Sequence, residues 1–224
     1  GNIAAEHYHR YRQDVALMAE LGLKAYCFST AWTRIQPDGA GPVNMAGLDF
    51  YQRLVDELLE HGIEPWLMLY HWDLPQALQD RGGWAVRDTA QRFADYAQIV
   101  AHSLGDRVSR WVTHNEPYVI AFLRHLTGEH APGITDPAAC LRASHNLLLA
   151  HGYAVQALRA LLPENAQAGI ILDLYPTYPA SDRPEDQQAA GIYHLMRNRL
   201  FLDPLLRGRY PDARFVTPCV NAAR

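Results

Sequence analysis

Four times along this chain, apolar residues spaced three and four apart give way to a short, nearly continuous apolar run. That alternation restricts the fold more than any other feature. Tyr8, Tyr11, Val15 and Met18 mark the first helical stretch, which stops at Gly22 and leads into a strand-like run at 23–30. Leu48, Tyr51, Val55 and Leu58 mark the second, which ends at Gly62 before the run at 63–71. Phe93, Tyr96 and Val100 mark the third, which ends near Gly105 before the run at 107–115. A fourth helix is expected from about 137 to 162, with 166–174 as its strand. A fifth begins near Pro184, where proline suits the first helical turn. Helices alternating with strands that are apolar along their length build parallel βα units, because such strands are covered on both faces.

The long connections follow the strands. They read TAWTRIQPDGAGPVN after the first, HWDLPQALQDRGGW after the second and NEP after the third, whereas the helix-to-strand joints are short. Elaborated loops at the C-terminal ends of parallel strands describe the active face of a (β/α)8 barrel or of an open doubly wound sheet. Neither GxGxxG nor GxxxxGK[ST] occurs, which disfavours a nucleotide-binding sheet.

Composition removes further classes. With 224 residues, the chain can bury one sizeable core. A net charge of −4 and the lack of a basic run argue against a nucleic-acid partner. No apolar segment approaches a membrane span, and the opening GNIAAEHYHR does not read as a signal peptide. Cys27, Cys140 and Cys219 are far apart and unpaired in pattern, which leads us to expect free thiols and a reducing, cytoplasmic setting. Eleven histidines invite a metal, but no HExxH or Cys/His cluster supports one. His7 and His9 fall on different faces of their helix, so neither a metal nor a cofactor is expected.

Three stretches line up at successive strand ends: FSTAWTRI, LYHWDLP and THNEP. Together with GGW at 82–84, HAPG at 130–133, AHG at 150–152 and FLDPLLRGRYP at 201–211, they closely resemble glycoside hydrolase family 1, the retaining β-glucosidases and their relatives. Any one of these motifs is weak alone; seven in the family's order are specific. The resemblance implies an α/β fold: a partial (β/α)8 TIM barrel of about four parallel strands, the family's strands 2–5, with flanking helices. It extends over 1–211, leaving 212–224 as a divergent tail.

Retaining cleavage needs one carboxyl group to protonate the leaving oxygen and a second to attack the sugar from the other face. The resemblance gives Glu116 the first role, general acid and then general base. Such an acid keeps its proton near neutral pH through burial or a neighbouring negative charge. Asn115 resembles the residue that bonds the sugar 2-hydroxyl, and His71 and Trp72 resemble glycone contacts, with Trp72 offering an indole N–H and an apolar face. The implied partner is a β-linked glucoside or oligosaccharide. Taken singly, Asn115-Glu116 reads as loop chemistry and His71 as a core histidine; the ordered motifs favour the site. Asp73 is expected to cap a helix, and Trp32, Trp66 and Trp111 to fill the core.

Departures from the family pattern are equally specific. The family's opening strand and its ENG-type nucleophile segment have no counterpart, so no nucleophile is assigned in this chain, and the isolated chain is expected to be inactive. Cys27 occupies the place of the arginine in the family's usual YRFS, and Asp173 that of the asparagine in its usual LN. His114 stands where an apolar or aromatic residue is common. Asp173 is expected at the end of its strand as a polar contact. Four parallel strands leave two open edges, from which self-association or pairing with a complementary half-barrel is expected. The alternative function is a non-catalytic carbohydrate-binding or degenerate copy.

Overall fold

The computed structural model describes residues 4–212; the expected tail lies, from 213 onward, outside the described residues. The helices are α1 (His7–Glu20), α2 (Trp32–Ile35), α3 (Met45–Glu60), α4 (Gln76–Gln79), α5 (Asp88–Leu104), α6 (Pro137–Leu161), α7 (Pro184–His194) and α8 (Leu200–Arg207). The strands are β1 (Ala25–Ser29), β2 (Glu64–Tyr70), β3 (Arg110–Asn115) and β4 (Gln167–Ile171), in one sheet of order β1-β2-β3-β4. The β1–β2 and β2–β3 pairs are parallel. Four parallel strands with flanking helices are the expected partial barrel. None of the described helices is long and apolar enough to cross a membrane.

The chain divides into two compact units. Among the described residues, the first comprises 4–83, 88–115 and 150–170, and the second 84–87, 116–149 and 171–212.

In the first unit the helix stops are those the glycines announce. Gly22 and Gly62 adopt left-handed φ of 74° and 68°. Beyond them, Leu23 and Ile63 donate their amides back to Met18 and Leu58. Each turn therefore satisfies carbonyls that the helix leaves open and aims the chain into the next strand.

The register explains what the sheet buries. Phe28, Leu67 and Trp111 lie side by side in one row and are at most 7% exposed. Each such side chain contributes about 1.5–3 kcal/mol relative to exposure. The neighbouring row is Cys27, Trp66 and Arg110, and here Trp66 is 40% exposed. Trp32 and Trp111 are core residues as expected, but Trp66 is not. Its indole N–H donates to Glu64, and Arg110 lies over its ring, so a polar edge takes the place of a packed face. Above the strand ends, the loop after β1 is pinned by tyrosines. Tyr51 accepts the Ala31 amide at 2.7 Å, and Tyr96 bonds both the Thr30 hydroxyl and the Leu69 carbonyl.

The second unit is helical. A π-turn at Val119–Leu123 buries Val119, Ile120, Ala121 and Phe122, and a second at Leu195–Arg199 joins α7 to α8. His125 is buried and donates from Nδ1 to the Ile120 carbonyl at 2.9 Å; burial lowers its pKa.

Candidate active site

β2 ends at Tyr70 and β3 at Asn115, so His71 and Asn115 leave neighbouring strands at the same level, one residue beyond the Tyr70–His114 pairing. Asn115 is buried, and its Nδ2 donates to Nε2 of His71 at 3.2 Å. With the amide nitrogen as donor, His71 accepts through Nε2 and carries its proton on Nδ1. Trp72 turns the chain at φ 87°, a left-handed conformation uncommon for a bulky residue. Its indole N–H donates to the Asn115 carbonyl at 2.9 Å. That N–H, expected to face a ligand, is engaged by the backbone, and the ring face is what Trp72 offers. His71, Trp72 and Asn115 are thus brought together by direct bonds.

His71 and Cys27 also line a cavity of about 310 Å³, with Ser29, Arg34 and Tyr51 among its walls. That volume lies at the small end of the range for organic-ligand pockets. Arg34 bonds the Tyr51 hydroxyl at 3.1 Å and spreads over the rings of Tyr8, Phe50 and Tyr51.

Asp73 is not the cap of a helix. α4 starts three residues later, with Pro75 at its N-cap position and no side-chain cap, because Leu74-Pro75 hold the chain extended. Asp73 instead accepts from the Thr33 hydroxyl at 3.4 Å, and burial raises its pKa.

Glu116, the next residue after Asn115, is half-buried and adopts φ 48°. Its amide donates to the Ile171 carbonyl at 2.9 Å, and its carbonyl accepts from Val119. A glutamate held left-handed costs on the order of 1 kcal/mol and persists only where its surroundings over-determine it. Asp173 lies two residues past the end of β4, not at the strand end, because the ladder stops at Ile171. There its carboxylate pairs with the Arg197 guanidinium, a partner that no motif announces.

One further cluster of bonds joins β3, β4 and α6. Thr113 donates to the Gly169 carbonyl at 3.3 Å and accepts from Nδ1 of His151 at 2.8 Å. Burial, aided by the positive charge of Arg159, lowers the His151 pKa to about 4, so this histidine is neutral at pH 7. The AHG motif marked it in the sequence without giving it a role.

The sequence-family comparison bears directly on this arrangement: the model of glycosyl hydrolase family 1 matches residues 1–218. The chain belongs to that family. It is 57% identical over 212 residues to thermostable beta-glucosidase B of Thermobispora bispora, covering 95% of this chain and 43% of that protein. It is 51% identical over 212 residues to beta-glucosidase A of Acetivibrio thermocellus, covering 95% of this chain and 47% of that one. Among solved structures, the psychrophilic beta-glucosidase BglU of Micrococcus antarcticus superposes with a TM-score of 0.90 at 53% identity. That match covers 92% of this chain and 44% of BglU. This family 1 chain therefore spans about half the length of the relatives it matches, and the three named here are β-glucosidases.

Proposed function

We propose that this chain supplies the acid/base half of a retaining β-glucosidase site. Glu116 protonates the leaving oxygen and then activates water. Asn115 binds the 2-hydroxyl of the sugar, and His71 and Trp72 hold the glycone. The nucleophilic carboxylate comes from residues outside this sequence, roughly 5 Å from Glu116, as retention requires. In this reading the barrel portion is 1–211 and the substrate is a β-linked glucoside or oligosaccharide. The open sheet edges pair with a complementary half-barrel or, failing that, with a second copy. A cytoplasmic location belongs to the same reading and rests on the free thiols of Cys27 and Cys140.

The observation that carries the proposal is the His71–Asn115 hydrogen bond. It joins two strand-end side chains from separate motifs, with Glu116 adjoining in sequence. In a family whose relatives are β-glucosidases, two hydroxyl-reading groups locked in mutual orientation form a glycone-reading pair.

Cys27 favours a second reading, a non-catalytic carbohydrate binder. A thiol in place of the family's arginine withdraws a cation that would stabilise the nucleophile's anion.

The test is turnover of a nitrophenyl β-glucoside by the chain alone and by the chain mixed with the C-terminal half of a family 1 relative. The expected result is no turnover alone above a Glu116→Gln control, and turnover on complementation that Glu116→Gln abolishes. Complementation that restores the barrel but leaves Glu116→Gln as active as its parent sinks the acid/base assignment. Binding of glucose without turnover in the complemented protein favours the second reading.

A further inference from the structure

Glu116 is held in a backbone conformation that a glutamate does not choose, and the residues that hold it lie in the second unit. Its amide bonds the carbonyl of Ile171, the last residue of β4, so the segment after β3 leans on the point from which the chain runs on to Asp173 and Tyr175. Both segments end on the same cation. The Arg197 guanidinium lies 3.8 Å from the centre of the Tyr118 ring and 4.4 Å from that of Tyr175, and it pairs with Asp173. Arg197 is itself only 8% exposed. Burial works to lower its pKa, but the Tyr118 hydroxyl and the Asp173 charge outweigh that and raise it, so the cation is kept. Beside it, Asn198 reads the Tyr175 backbone in both directions. Its Oδ1 accepts from the Tyr175 amide at 3.1 Å, and its Nδ2 donates to the Tyr175 carbonyl at 2.7 Å. Arg197 and Asn198 are consecutive within the π-turn at Leu195–Arg199, and Tyr118 immediately precedes the π-turn at Val119–Leu123. Such turns re-aim neighbouring side chains and recur at functional sites.

We propose that Arg197 is a positioning residue for Glu116: stacked between Tyr118 and Tyr175 and paired with Asp173, it clamps the segment that carries Glu116 to the segment that receives the Glu116 amide. The proposal rests on the reading of Glu116 as acid/base, and it gives Asp173 a role. The aspartate that stands for the family's usual asparagine faces an arginine here. A planar guanidinium can stack on two rings and still donate to a carboxylate, which a lysine cannot do.

The first arm of the test reads the clamp without turnover. Amide hydrogen exchange at Glu116 is measured in the 224-residue chain, in Arg197→Met, in the milder Tyr175→Leu and in the control Arg199→Met, whose arginine pairs instead with Asp203. Urea unfolding corrects each value for global stability. Arg197→Met should speed Glu116 exchange at least tenfold beyond the global change and Tyr175→Leu about threefold, with Arg199→Met within twofold of the parent. Should Arg197→Met fail to fold, Tyr175→Leu decides. Unchanged Glu116 exchange in the folded variants overturns the proposal.

The second arm, in the complemented barrel, compares phenyl and 2,4-dinitrophenyl β-glucosides, because only the poorer leaving group needs the acid. Arg197→Met should lower kcat/KM about tenfold for phenyl and less than threefold for dinitrophenyl. Equal losses on both would make Arg197 merely structural. If Glu116→Gln lacks this leaving-group signature, the acid/base reading fails even though the clamp survives the exchange arm.

Discussion

Asn115 Nδ2 and His71 Nε2 are 3.2 Å apart, and the bond between them fixes the proton of a surface-facing histidine on its other nitrogen. Neither side chain is free to rotate without breaking that bond. The pair therefore presents one orientation, with the His71 Nδ1–H as its outward donor.

The two partners should fail differently in the complemented enzyme. A contact to the 2-hydroxyl strengthens as the oxocarbenium ion forms, so Asn115→Ala should lower kcat and kcat/KM together by roughly 10- to 100-fold. A contact to another ring hydroxyl binds ground and transition states alike, so His71→Ala should act mainly on KM. Steady-state kinetics on a nitrophenyl glucoside separate the two. Loss confined to KM in Asn115→Ala would remove it from the reacting side of the sugar.

Glu116 should be a site where function opposes stability. At φ 48° a glycine meets no Cβ clash, so Glu116→Gly should stabilise the chain by up to about 1 kcal/mol while removing the acid. Glu116→Val, β-branched at the same φ, should destabilise it. Urea midpoints for the two variants check the sign; a Glu116→Gly variant less stable than Glu116→Val would mean that the side chain, not the backbone, dominates there.

Much of this was legible because period is a strong signal. α1, α3, α5 and α6 and all four strands follow the apolar spacing, and the left-handed glycines Gly22 and Gly62 mark their turns. What escaped is what tertiary contact decides. α2, α4 and the two π-turns are too short for a period to register. The apolar length of β2 predicts a core Trp66, but residue type does not reveal that one row of a sheet is covered and the next is not. Asp73 has the residue type of a cap, but the helix starts after the following proline. The Asp173–Arg197 pair joins residues from two elements that share no motif, and nothing in either segment announced the other.

The two rows of the sheet give a direct contrast. Trp111 is 2% exposed and donates its indole N–H to the Val108 carbonyl at 2.9 Å, so Trp111→Ala should cost about 3–5 kcal/mol. Trp66, 40% exposed, should cost under about 1 kcal/mol in the isolated chain. Urea denaturation of the two alanine variants measures both. A cost for Trp66→Ala approaching that of Trp111→Ala would show that its face is covered in solution, by a second copy of the chain or otherwise.

His151 gives the chain a built-in acid sensitivity. Its folded pKa of about 4 lies below the ordinary histidine value of 6.5, because burial and Arg159 disfavour the charged ring. Between pH 6.5 and about 4 the unfolded chain therefore binds a proton that the folded chain refuses. Stability falls as the pH falls through that window, and this contribution is fully present above pH 6.5. The size of the shift sets an upper bound of roughly 3 kcal/mol on the loss. His151→Asn removes the titrating group and keeps an N–H for the Thr113 hydroxyl, which His151 now supplies at 2.8 Å. Urea unfolding at pH 7 and pH 4.5 should show a smaller drop for His151→Asn than for the parent, the difference being His151's share. Other groups, His125 among them, titrate in both proteins and cancel in that comparison. Equal drops in the two proteins would mean that the ring protonates in the folded state as readily as in the unfolded one, and that the Thr113–His151 bond does not hold it neutral.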